Sequence, residues 1–321
     1  QTVVKAGSLV AISAIRAGYC ISVDMGVQSV KLILTDLNNE ILLRRSFSIA
    51  EPAFACVYRQ LYQEIDRIIK EIPPCPYGLI GISLAVRGII DLDGVIRFIP
   101  KLGWHNIDIK SLLDQRYHVP VYIDNDGNLA ASMESRLYPQ YREMTVLSIT
   151  DVISCGIITG GELVRGYLGF ANAVGHHTVN IRETHQCSCG KYGCWEQYCS
   201  DQALLEEINR NRRTPLSDID QFIDLIQKQD PDALKVLDHF IHNLAIGLSN
   251  IIFFVNCEMI ILNSHLIQSL PYLLPEIMKD IVLPITHTQE ILISSLGNEG
   301  PILGASLKAI EEFFEILSAH G

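Results

Sequence analysis

The chain has 321 residues, 48% of them hydrophobic and 19% charged, enough to bury a large core in two lobes and too apolar for a disordered segment. No uninterrupted apolar run approaches the about 20 residues of a membrane span, and no basic-then-apolar leader opens the sequence, so neither a membrane nor secretion is expected. A net charge of −11 excludes this portion as a nucleic-acid surface, which needs clustered Lys and Arg.

Residues 1–17 start at Gln1 and alternate loosely. The run 18–31 (GYCISVDMGVQSVK) reads as strand, turn, strand. Ile21 and Val23, then Val30, Leu32, Ile33 and Leu34, flank a polar tip at 24–26. Asp36, Leu37, Asn38 and Asn39 supply the next turn and 41–46 a third strand. Phe54, Val57, Leu61, Ile65 and Ile68 recur every three or four residues, an amphipathic helix that Pro73 and Pro74 end. Strands follow at 79–86 and 119–124, the first leading through Gly88 into a turn at 91–94. A helix is expected at 128–137. Strands at 145–150 and 154–159 come next, with a tight hairpin at Gly160 and Gly161. Helices are expected at 201–211, 216–227 and 232–255, a strand at 259–262, and a last helix at 301–317 carrying Leu303, Leu307, Ile310 and Phe314 on one face. Strands alternating with long helices point to an α/β fold.

Residues 174–200 read VGHHTVNIRETHQCSCGKYGCWEQYCS. Three of the nine cysteines, Cys187, Cys189 and Cys194, crowd into eight residues with Gly190 and Gly193 between them, and a histidine pair, His176 and His177, lies about ten residues upstream. Three soft thiolates and one imidazole make the closed four-ligand set of tetrahedral structural zinc. The glycines let the backbone turn tightly enough for the sulfurs to converge. The competing reading is a set of buried cysteines or a disulfide, which suits Cys20, Cys56, Cys75, Cys155 and Cys257 as core thiols. An odd cysteine count with a metal-like knuckle suits a reducing cytoplasm.

Gly175-His176 followed by Cys187-x-Cys189-Gly-x-x-Gly-Cys194-x-Glu196, together with the turn Asp124-Asn125-Asp126-Gly127-Asn128 and the first strand pair, resembles the ROK family of sugar kinases and sugar-responsive repressors, over about residues 18–317. Within it the chain resembles the repressor branch, of the xylose-operon and N-acetylglucosamine type. The resemblance implies an actin-like, ribonuclease H-like ATPase fold, two α/β lobes with a sugar cleft between them. The first lobe would be 18–124 with the helix 301–317, and the second 125–300 with the zinc knuckle. Residues 1–17 would be the end of an N-terminal winged-helix domain and its linker.

The resemblance also implies roles. Asp126 matches the family's general base, which takes the proton of the attacking sugar hydroxyl; in a non-catalytic member it would accept a hydrogen bond from that hydroxyl. Its plainer role is a turn or helix cap. Gly88, Asn125, His176 and Glu196 match further sugar contacts. Zinc would be held by His176, Cys187, Cys189 and Cys194, with His177 and His185 as the other histidine candidates.

The kinase elements depart from the family pattern. Asp-x-Gly-Gly-Thr reads Asp24-Met25-Gly26-Val27-Gln28. The phosphate-cradling Gly-Thr-Gly reads Thr150-Asp151-Val152, and two unit charges about 4 Å apart repel by about 4 kcal/mol at an effective dielectric of about 20. The adenosine-facing Gly-Gly reads Asn263-Ser264. The nucleotide site is therefore expected to be dismantled, and Asp24 to remain as a turn residue. Ala173 stands where the family carries a glutamate; a charged hydrogen bond of about 1.5–3 kcal/mol lost there implies roughly 10–150-fold weaker binding of the usual sugar. A different sugar, a weak sensor or no sugar would each follow.

These features imply the effector and oligomerisation module of a cytoplasmic ROK-type repressor. It would bind a sugar or sugar phosphate without phosphorylating it, act as a homodimer or higher oligomer, and reach operator DNA through a domain preceding Gln1. An ATP-dependent sugar kinase using Asp126, and a ligand-free protein-binding scaffold, are the alternatives.

Overall fold

The structure is a computed structural model that describes residues 16–171, 173–210, 212–281 and 289–320; the expected wing strand and linker lie almost wholly outside them. The described chain divides into two units. One comprises residues up to 133, 167–170 and 300 onward; the other comprises 134–166 and 171–299. The division falls inside a helix, after Met133, rather than between Asp124 and Asn125.

In the first unit, β1 (Gly18–Met25) is buried along its whole length, as a strand covered on both faces must be. It pairs antiparallel with β2 (Ser29–Asp36), which pairs with β3 (Ile41–Ser48). The helix α1 (Phe54–Glu71) buries Val57, Leu61, Ile65 and Ile68, the predicted stripe, and stops at Ile72 before the two prolines. The strand β4 (Gly78–Val86) returns parallel to β1. A small antiparallel sheet of β5 (Ile89–Ile90), β6 (Ile96–Ile99) and β7 (Trp104–Ile107) follows. Next come α2 (Ile109–Tyr117), capped by the Asp108 side chain on the Ser111 amide, and β8 (Val121–Asn125), parallel to β4. The sheet order is β3-β2-β1-β4-β8. The helix α3 (Asp126–Leu137) begins directly at the end of β8.

The C-terminal helix (Gly300–His320) returns to this unit, as the family resemblance implies. A Cβ on its Gly304 would lie 1.9 Å from the Leu129 carbonyl oxygen, so the two helix backbones touch there. Ser306 and Thr35 share a buried hydroxyl hydrogen bond of 2.5 Å that ties the helix to β2.

In the second unit, β9 (Met144–Ile149), β10 (Ile153–Thr159) and β11 (Glu162–Leu163) form a meander, with Gly160 and Gly161 at φ 64° and 84° in the last hairpin. After the cysteine segment come α4 (Glu196–Cys199), α5 (Asp201–Asn209), α6 (Ile219–Gln227) and α7 (Pro231–Val255). The Asp230 side chain caps α7 on the amides of Asp232 and Ala233, with Pro231 beside it. The strand β12 (Met259–Ser264), α8 (His265–Ser269), α9 (Leu273–Asp280) and β13 (Glu290–Ile293) complete a sheet ordered β11-β10-β9-β12-β13.

Several expectations are corrected. Among the described residues α7 is long and apolar enough, by length and composition alone, to cross a membrane. Its inward face, including Val236, Phe240, Leu244 and Leu248, is core of this unit. Cys56 and Cys75 are only half-buried, and all nine cysteines are free thiols. Asn263 and Ser264 do not follow the strand; they are its last two residues, both buried. The strands β5, β6, β7 and β13 and the helices α2, α4, α8 and α9 were not expected. Pro275 lies inside α9, tolerated in its first turn, where the amide has no helical partner.

Candidate functional site

The cysteine segment is built by short-range contacts. Val174–His176 form a single 3-10 turn whose Gly175 lies against β10, where a Cβ would meet the Ile153 carbonyl oxygen at 2.5 Å. Single bridges join Thr178 to Cys194 and Gln186 to Tyr192. Between them the Cys187 amide donates to the Lys191 carbonyl and the Gly190 amide to the Cys187 carbonyl, both at 2.8 Å. Gly190 and Gly193 adopt φ of 89° and 67°, and a Cβ at Gly193 would overlap the Asn180 carbonyl at 1.8 Å. Both glycines are required by geometry.

The result is a convergence of His176, Cys187, Cys189 and Cys194, whose ligand atoms all lie within 4.8 Å of one another and could hold a metal ion. The Cys187 sulfur is 3.7 Å from His176 Nδ1, and the sulfurs of Cys189 and Cys194 are 3.6 Å apart, far beyond a disulfide bond. Burial first, then its neighbours Cys189 and Cys187, push the Cys194 thiol well above its ordinary range. That crowding of thiols is what a bound cation relieves. His177, exposed, and His185 lie outside the four-ligand set. The buried Glu196 carboxylate lies against the cluster, 3.6 Å from the Cys187 sulfur and 3.9 Å from His176 Nδ1.

The other predicted residues lie in the first unit, at one edge of its sheet. The strands β1, β4 and β8 run parallel, with Met25 opposite Val86 and Val86 opposite Asn125. Ligands of open α/β sheets sit beyond these carboxyl ends. Asn125 spans two elements there, its side-chain amide donating to the Gly88 carbonyl at 3.0 Å and its oxygen accepting from the Gly127 amide at 2.9 Å. Gly88 sits where a Cβ would meet the Phe98 carbonyl at 2.6 Å. Asp126 is buried at the first position of α3.

Asp24 is not a turn residue. It is a buried member of β1 and accepts from Arg87 Nη2 at 3.4 Å, while Arg87 Nε lies 3.8 Å from Asp126 Oδ2. Sequence reading missed Arg87, the single charge within the apolar stretch 79–90.

At the expected nucleotide positions of the second unit, Thr150, Asp151 and Val152 form the β9–β10 turn, closed by the Thr150 amide on the Val152 carbonyl. The Asn263 side-chain amide donates to the Ser148 hydroxyl at 3.4 Å and Ser264 caps α8. Asp201 stands nearby, its amide on the Thr150 carbonyl. Burial, then the charge of Asp151, raise its carboxyl to about 7, with Asp220 adding to this and His265 opposing it. A folded-state value above the ordinary 3.8 favours the fold below about pH 4, and that contribution is lost as pH rises to about 7. Asp201→Asn is therefore expected to stabilise the chain by about 1–4 kcal/mol at pH 8 and hardly at all at pH 4, read from urea melts at both. An equal gain at both pH values would refute the assignment.

A sequence model described as the ROK family matches residues 20–312. A protein named "Xylose repressor" from Bacillus spizizenii is 36% identical over 309 residues, covering 94% of this chain and 79% of that one. Among solved structures, a ROK family glucokinase from Streptomyces griseus in complex with glucose and AMPPNP gives a TM-score of 0.82 at 19% identity, covering 92% of this chain and all of that one. A ROK family transcriptional regulator described as a homologue of E. coli MLC protein gives 0.79 at 21% identity, covering 94% and 80%. At those identities the two structures speak for a common fold.

Proposed function

Because the chain belongs to the ROK family, we propose that it is the effector-sensing and oligomerisation module of a ROK-type transcriptional repressor, binding a sugar without phosphorylating it. The observation that carries this is the 36% identity to a xylose repressor across 94% of the chain. D-xylose is accordingly the first sugar to test. The residues proposed to take part in sugar recognition are Gly88, Asn125, Asp126, His176 and Glu196, with Asp126 accepting a hydrogen bond from a hydroxyl. Sugar would act by binding one of two conformers better than the other, shifting the population and with it operator affinity. Operator DNA would be held by a domain preceding Gln1, the working form would be a homodimer or higher oligomer, and the compartment the cytoplasm.

The metal proposed at the four-ligand cluster is zinc. Bonds of about 2.3 Å to sulfur put tetrahedral ligand atoms about 3.8 Å apart; two of the pairs here are 3.6 and 3.7 Å apart, and all lie within 4.8 Å. Three thiolates and one imidazole leave no open position, so the ion's contribution is structural. His176 would orient through Nδ1, leaving its other ring nitrogen for the sugar.

The kinase alternative is favoured by Asp24 and Gly26 of the first strand pair and by the buried Asp126 at the start of α3. Titration with sugar in the presence of magnesium and ATP separates the two: the repressor reading requires saturable binding and no phosphate transfer.

A further inference from the structure

The three neighbouring parallel strands β1, β4 and β8 deliver two carboxylates and one guanidinium to the same sheet edge. Arg87 Nη2 lies 3.4 Å from Asp24 Oδ2 and Arg87 Nε 3.8 Å from Asp126 Oδ2, with side-chain exposures of 10%, 2% and 1% for Arg87, Asp24 and Asp126. The guanidinium also covers the bare backbone of Gly26, where a Cβ would meet Arg87 Nη1 at 2.5 Å. Two buried carboxylates beside a glycine turn, at the carboxyl ends of parallel strands, are the surroundings that hold a divalent cation together with the phosphates of a ligand. Here a cation already stands among them. A guanidinium stays charged at every accessible pH and cannot diffuse away.

We propose that Arg87 is a built-in cation occupying the place between Asp24 and Asp126 where a divalent metal and its phosphate would otherwise sit. The first unit then takes up neither, and Asp126 is fixed as a hydrogen-bond acceptor for an uncharged hydroxyl. This deepens the non-phosphorylating reading and rests on it only for what is being excluded. It also makes the exclusion a property of one side chain, independent of Gln28, Asp151 and Asn263.

The test is thermal unfolding of the full chain, loaded with zinc so that the cysteine cluster is saturated. The probes are millimolar manganese(II) alone and magnesium with AMPPNP. The wild-type chain is expected to respond to neither. Arg87→Met removes the guanidinium that lies beside two buried carboxylates, so its Tm is expected to fall by roughly 5–15 °C. Manganese is expected to recover several degrees of that loss, and the response to vanish when Asp126→Asn is added. Arg87→Lys keeps a cation and is expected to remain blind to manganese; it also carries the test should Arg87→Met not fold. Manganese stabilising the wild type as much as Arg87→Met would overturn the inference. So would Arg87→Met with unchanged Tm and no manganese response, or a manganese response gained by Arg87→Lys. Sugar binding is read separately, so a chain that binds no sugar yet shows this manganese pattern keeps the inference and loses the repressor reading.

Discussion

Cys194→Ser is expected to abolish stoichiometric zinc binding and to open residues 174–200 to proteolysis, while Cys56→Ser changes neither. The contrast follows from position. Cys194 is fully buried and carries one of the two bridges of the segment, whereas the Cys56 thiol is half-buried and hydrogen-bonded to the exposed Glu51. Ahead of Trp195 the segment has little core of its own: Ile181 and Tyr192 are exposed, and two single bridges, turn hydrogen bonds and polar side-chain contacts such as Lys191 Nζ on the His176 carbonyl hold it. Structural zinc supplies about 10–16 kcal/mol in small peptides that fold around it. Zinc analysis and limited proteolysis of both variants check the expectation, and zinc retained in full by Cys194→Ser would remove Cys194 from the ligand set.

Trp195→Ala is expected to destabilise the chain by about 3–5 kcal/mol, the range for emptying a buried aromatic site. Trp195 directly follows the last cysteine of the cluster, is 1% exposed, and donates from Nε1 to the Asn243 carbonyl at 3.0 Å. Its ring lies on the backbone of α7, where a Cβ at Gly247 would fall 1.9 Å from ring carbon Cε2. A rigid indole cannot step aside as a flexible side chain would, so Gly247→Ala is expected to cost about 1–3 kcal/mol. The two effects share one contact and are not additive. Urea unfolding of both single variants and the double variant measures this: Gly247→Ala should be nearly harmless once Trp195 is alanine. A full, additive penalty in the double variant would mean that the ring is not what Gly247 accommodates. The pair fastens the segment that carries the proposed contacts His176 and Glu196 to α7.

The cysteine cluster was legible because its sulfur ligands lie within eight residues and the glycines that turn the chain are written between them. The choice between His176 and His177 was not, since adjacent histidines have equal reach in sequence. In the structure His176, at the end of the 3-10 turn Val174–His176, is the histidine that converges with the three cysteines. The stripe of α1 and the strand order of the first hairpins were legible from local period. The contact among Asp24, Arg87 and Asp126 was not, because parallel strands join residues about 40–60 positions apart and no local pattern records their register. Only the isolated charge of Arg87 in an apolar run hinted at a buried partner. The strand β13 is only four residues long and α2 buries only Ile109 and Leu113, each too little for a periodic signal.

Binding without phosphorylation is the central claim, and a calorimetric titration measures both parts at once. The wild-type chain, with magnesium and ATP present, is titrated with D-xylose, D-glucose and N-acetylglucosamine in turn. Heat that saturates with one of these sugars, is unchanged when ATP is omitted, and weakens by at least roughly tenfold in Asp126→Asn, as loss of a charged hydrogen bond requires, is the predicted result. A continuous heat of turnover that needs ATP and disappears in Asp126→Asn would contradict the account and make the chain a sugar kinase.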